Sequence, residues 1–111
     1  MLYRLTTDKD VGNVYNMDAE PLLAERLVLD ESSFVELVVW QLAQPVAGCH
    51  HDLKYRLAYV VKGVCVVRYD YETGKGDHRH IGGREAPYRF RSLETLQTDF
   101  WSDMAQWEVS N

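Results

Sequence analysis

His78 and His80 stand one residue apart in a stretch that also carries Arg68, Asp70, Lys75, Arg79 and Arg89. Imidazole titrates close to neutral pH, so a pair of imidazoles can give and take a proton within one reaction. Guanidinium and ammonium groups supply positive charge and N–H donors for phosphate oxygens. Tyr69 and Tyr88 can stack on a planar base or donate a hydrogen bond. Charged groups at this density cost much to bury and add little to packing, so segment 68–90 reads as a site and not as core. Asp70 has two open readings: it orients a histidine, or it pairs with Arg68, which is the expected role.

An extended His78-x-His80 would place both rings on one side, which also suits a divalent metal. The third ligand would have to come from Asp70, Asp77, His50, His51 or Cys49. No two-pair Cys/His signature exists, so no metal or other cofactor is expected. His50-His51 reads as a solvated loop pair with no catalytic role. Gly74-Lys75-Gly76 and Gly82-Gly83 lack the spacing of a Walker or dinucleotide loop and read as hairpin or bulge turns.

The elements that must position these groups begin at Leu22. Runs 22–29 and 34–42 are β-rich and flank the turn-forming Asp30-Glu31-Ser32-Ser33, a first hairpin. Both faces of the second run are largely apolar, which predicts a strand covered on both sides. Runs 53–61 and 64–71 flank Lys62-Gly63, a second hairpin. A two-residue turn there pairs Val61 with Val64, Tyr59 with Val66, Leu57 with Arg68, and Tyr55 with Asp70. The open end of that hairpin is polar and leads into a loop bearing His78, Arg79 and His80. Ser92 is a good N-cap, and Leu93, Leu96, Phe100, Met104 and Trp107 fall at helical spacing, with Trp101 beside them. This apolar stripe is expected to cover the sheet. The fold expected is α+β: a four-stranded antiparallel sheet of two hairpins with a C-terminal helix on one face. Residues 1–20 read as an N-terminal extension of unassigned order, and 21–111 as the domain.

One domain is what 111 residues allow. A hydrophobic content of 46% excludes a disordered chain, and the absence of a long apolar run or signal-like start predicts a cytoplasmic protein without a membrane span. Two cysteines suit a reducing compartment, Cys65 as a small core residue and Cys49 in a loop. The net charge of -5 hides an asymmetry: residues 54–91 hold nine Lys/Arg against four Asp/Glu, and the remainder three against thirteen. The basic segment could attract phosphate or decorate a solvated sheet, and charge alone does not choose.

The strings Lys54-Tyr55-Arg56-Leu57-Ala58-Tyr59-Val60, Arg68-Tyr69-Asp70, Gly74-Lys75-Gly76-Asp77-His78-Arg79-His80 and Pro87-Tyr88-Arg89-Phe90 resemble the TumE-type family of bacterial toxins. The resemblance spans roughly residues 22 to 107, and Tyr71 stands where the family often has Asn. It implies the toxin half of a toxin–antitoxin pair, partnered by an antitoxin of helix-turn-helix type. By analogy with other small toxins, the expected activity is metal-independent RNA cleavage. His78 and His80 then act as acid and base, with Arg68, Lys75 and Asp70 completing the catalytic set. Arg56, Tyr69, Arg79, Tyr88 and Arg89 would hold RNA or the ribosome. Two alternatives stay open: a binding module without catalysis, and a metal-assisted nuclease or nucleotidyl-transfer enzyme. A homodimer is compatible with all three.

Overall fold

Lys62 and Gly63 take φ of 51 and 79, the paired left-handed conformations that a two-residue hairpin turn requires. In the computed structural model, which describes residues 19–45, 51–72 and 75–111, that turn joins β3 (Leu53–Val61) to β4 (Val64–Glu72). On one side β2 (Ser33–Leu42) pairs with β3, and β1 (Ala19–Val28) pairs with β2. Beyond β4 come β5 (Gly76–Ile81) and β6 (Arg84–Pro87), giving an antiparallel sheet in the order β1-β2-β3-β4-β5-β6. Helix α1 (Leu93–Ser110) closes the chain, capped by Ser92, whose side chain accepts from the Thr95 amide.

The expected α+β class holds, but the sheet has six strands and not four. The segment carrying His78, Arg79 and His80 is a strand, and it turns at Gly82 (φ 62) into a sixth. Its polar composition hid it: at this end of the sheet neither face must be apolar, so the hydrophobic alternation that reveals a strand is missing. The expected extension over 1–20 lies outside the described residues except for Ala19 and Glu20, which begin β1. Cys49 and His50 also lie outside them.

The register of β3 against β4 also differs from the expected one. Val61 does face Val64, but a bulge follows, so Tyr59 pairs with Val67, Leu57 with Tyr69 and Arg56 with Asp70. Val66 is the extra residue; it turns into the core beside Val67, and its carbonyl accepts from the Gly82 amide at 2.8 Å. A one-residue slip exchanges the faces, so Arg56, and not Tyr55, shares a face with Asp70.

The core lies between one sheet face and the helix. Val35, Leu37 and Val39 of β2, Leu57 and Tyr59 of β3, and Val67 and Tyr69 of β4 pack there with Leu96 and Phe100, both fully buried. Tyr71 joins them as a core ring. Leu93, Trp101, Met104 and Trp107 pack at the margin, so the predicted helical stripe covers the sheet. Three tyrosine hydroxyls tie the helix edge down: Tyr59 donates to Glu108 at 2.9 Å, Tyr88 to Asp99 at 2.6 Å, and Tyr69 to Asp103.

Candidate functional site

Arg68-x-Asp70 and His78-x-His80 lie on neighbouring antiparallel strands, and the register sets Arg68 opposite His80 and Asp70 opposite His78. Residues two apart on a strand share a face, so the four side chains form a compact block on the side of the sheet away from the helix. The rows run on through the sheet. One continues from Arg68 to Ala58 and Glu36, and from His80 to Glu85; the other runs from Asp70 to Arg56, and from His78 to Pro87. Strand pairing alone therefore gathers Arg56, Arg68, Asp70, His78, His80 and Glu85.

Distances inside the block are short. Asp70 lies against both partners considered for it: Oδ2 is 3.3 Å from Arg68 Nε and Oδ1 3.0 Å from His78 Nε2. Arg68 Nη2 donates to His80 Nε2 at 2.8 Å, which makes that nitrogen the acceptor tautomer. Glu85 Oε2 lies 3.3 Å from both His78 Nε2 and His80 Nε2, and accepts from Lys75 Nζ at 3.0 Å. Lys75 thus reaches the block from the β4–β5 turn. His78 is buried, with its Nδ1 donating to the Gly76 carbonyl at 3.1 Å, whereas the His80 side chain is 26% exposed.

Burial and the Arg68 charge both hold His80 below the usual imidazole range, and burial pushes Asp70 up against the opposing pull of Arg68. The hydrogen bond from Lys75 holds Glu85 down. A cleft of about 290 Å3 lined by Lys75, Asp77, His78, Glu85, Ala86 and Pro87 opens beside the block.

The remaining expected site residues fall on the helix side. Arg79 Nη1 contacts Asp103 Oδ2 at 3.1 Å and the Tyr69 hydroxyl at 3.2 Å, and Tyr69 meets Tyr88 edge-on at 4.8 Å. Arg89 and Arg91 line a second cleft there with Asp99. The ten residues expected at one site are thus divided by the sheet into two groups. Expectation also missed Glu85; the two-residue turn at Gly82-Gly83 places 85 opposite 80, and that turn was the available signal.

His51 is not a solvated loop residue. Its Nδ1 accepts from the Leu53 amide at 3.2 Å, Nε2 lies 2.8 Å from Asp77 Oδ2, and its ring lies 4.1 Å from that of Phe90. Tyr55 donates to the same Asp77 carboxylate at 2.6 Å. Asp77 and His51 therefore serve each other and stand apart from the His78–His80 block. Cys65 is half-buried on the face away from the helix, and burial pushes its thiol up.

Fold and site together define a small α+β protein whose antiparallel sheet is helix-covered on one face and carries a His–Asp–Arg block on the other. The family profile described as toxin TumE matches residues 5–108. The chain belongs to that family, as the motif resemblance implied, and is the toxin component of a toxin–antitoxin system with a cognate antitoxin. No curated protein and no solved structure matches it. Among the described residues, no helix is long and apolar enough to cross a membrane.

Proposed function

We propose that this toxin cleaves RNA at the His–Asp–Arg block, on the sheet face away from the helix. The observation that carries the reading is the register-built block in which Arg68 touches both Asp70 and His80 while His78 touches Asp70 from the neighbouring strand. Cleavage beside a 2′-hydroxyl needs a proton acceptor, a proton donor and positive charge at the phosphorane. Arg68 and Lys75 supply charge at the mouth of the block, with Arg56 in the adjoining row. His80 is the imidazole a substrate can reach; His78 sits behind it against Asp70.

Two forms of the chemistry share this site. In the first, the two imidazoles act without a metal, as the sequence suggests. In the second a cation assists, and a specific feature favours it: ligand atoms of Asp70, His78 and His80 all lie within 4.8 Å of one another. In either form, the antitoxin neutralises the toxin by covering the block with acidic groups that meet Arg68 and Lys75.

The test is induction of wild type and His80→Ala in cells, with sequencing of RNA 5′ ends and antitoxin co-purification as the check on folding. New ends should appear with wild type only, while both proteins retain the antitoxin. Growth arrest by wild type with no new RNA ends would refute cleavage and leave a binding module.

A further inference from the structure

We infer that Asp70, His78 and His80, with Glu85 beside them, form a binding site for one divalent transition ion of the zinc class. The inference needs no part of the RNA-cleaving reading, because it concerns which atoms face each other and not what they act on.

His78 provides the main argument. The Gly76 carbonyl can only accept, so the His78 Nδ1 that lies 3.1 Å from it carries the hydrogen. A backbone carbonyl on the far nitrogen is the usual outer support of a metal-bound histidine, fixing the tautomer whose Nε2 bears a lone pair. That Nε2 is shut off from solvent, and so is Asp70 Oδ1 only 3.0 Å away, yet neither atom makes a hydrogen bond. Nor does Nε2 make one to Glu85 Oε2 at 3.3 Å. A ring nitrogen whose lone pair faces two carboxylate oxygens, with its other nitrogen tied to a backbone carbonyl, is the arrangement a bridging cation would satisfy. Such buried polar atoms otherwise find partners in folded proteins.

The spacing fits. Zinc bonds to histidine nitrogen or carboxylate oxygen of about 2.0–2.2 Å put tetrahedral ligands about 3.4 Å apart. The His78–Asp70 separation is 3.0 Å, and ligand atoms of Asp70, His78 and His80 all lie within 4.8 Å of one another; Glu85 Oε2 stands 3.3 Å from both imidazoles as a fourth oxygen. Two imidazoles with two carboxylates suit zinc, cobalt or manganese and disfavour magnesium and calcium, which prefer oxygen alone. Two positive neighbours compete: Arg68 donates to His80 Nε2 and Lys75 to Glu85 Oε2. The ion takes the His80 lone pair, and Arg68, 29% exposed, retreats onto Asp70 Oδ2, which it already contacts. Lys75 keeps its place behind Glu85, and Glu72, with Oε1 4.0 Å from His78 Nε2, adds negative charge. The cleft lined by His78, Glu85 and Lys75 gives the ion access.

The test is calorimetric titration of the untagged full chain with Zn2+ and Mg2+, and with Co2+ followed by its visible d–d band, alongside Asp70→Asn and His80→Ala. Thermal melts of every protein without metal establish that it folds. Wild type should bind one Zn2+ and melt at a higher temperature with it, and show no response to Mg2+. Each variant should lose about 100-fold or more in Zn2+ affinity, at or beyond the upper end of what a missing outer-shell partner costs. Failure of wild type to bind Zn2+, or wild-type affinity in either folded variant, would overturn the site. RNA ends play no part in these readouts, so the site and the cleavage reading fail or stand separately.

Discussion

Arg68 is the residue on which the block turns, because one guanidinium spans Asp70 at 3.3 Å and His80 at 2.8 Å. A lysine ammonium keeps the charge but is a point donor, without the planar fork that meets two partners in fixed directions. Arg68→Lys is therefore expected to retain antitoxin binding and lose RNA-end formation by on the order of 10²-fold, as for removal of one transition-state donor. Equal activity in Arg68→Lys, measured by sequencing RNA ends, would show that only net charge matters. At this scale the site was largely legible: Arg68-x-Asp70 and His78-x-His80 each have the spacing that puts both members on one strand face. The division of the ten expected residues was not legible, because Tyr69 and Arg79 are the odd members of those same triplets. Reading the His78 segment as a loop concealed that they point the other way. Glu85 was missed for the same reason.

At the scale of elements, the hairpins announced themselves through their turns, and the Lys62-Gly63 turn carries a correctable strain. Lys62 holds φ of 51, a left-handed conformation that costs an ordinary L-residue about 1–2 kcal/mol, and its amide donates to the Ser32 carbonyl at 2.7 Å. Asparagine tolerates this conformation and leaves that backbone bond in place. Lys62→Asn should stabilise the fold by about 0.5–1 kcal/mol, raising Tm by a few degrees in a thermal melt. An unchanged or lower Tm would mean that the turn is not strained. The bulge at Val66 lay beyond sequence reasoning, since Val66 and Val67 are both apolar and either could face the core. In the fold both do, with Val67 paired to Tyr59 and the Val66 carbonyl accepting from the Gly82 amide. Strands β5 and β6 were hidden by composition, since a strand with histidine and arginine on alternate faces has no apolar side to reveal it.

Taken whole, the molecule uses its two sheet faces differently: α1 covers one, and the other carries the His–Asp–Arg block beside buried Val38, Trp40 and Ala58, so β2 is covered on both faces as its sequence predicts. The helix side has a polar hem in which tyrosine hydroxyls donate to helix carboxylates, and that hem fails in alkali. Tyr59 donates to Glu108, with Asp30 also near; burial, then the Glu108 bond, push its pKa up to about 12. Tyr88 donates to Asp99, near Tyr69 and Arg91, and burial, then the Asp99 bond, raise it as well. An unfolded tyrosine titrates near 10, so between about pH 10 and 12 the folded chain keeps protons that the unfolded chain has lost. The sign follows: a raised folded pKa gives stability that is complete below pH 10 and drains away as pH climbs toward the folded value. Each such tyrosine steepens the decline by about 1.4 kcal/mol per pH unit within its window. Ionised Tyr59 or Tyr88 would face a carboxylate with no proton between them, so α1 should detach from the sheet as tyrosinate forms. The expected result is tyrosinate absorbance and loss of helix-packed tryptophan fluorescence appearing together above pH 10, with Tyr59→Phe shifting the transition to higher pH. Tyrosinate forming near pH 10 while the fluorescence stays native would mean that these hydroxyls are free of the helix.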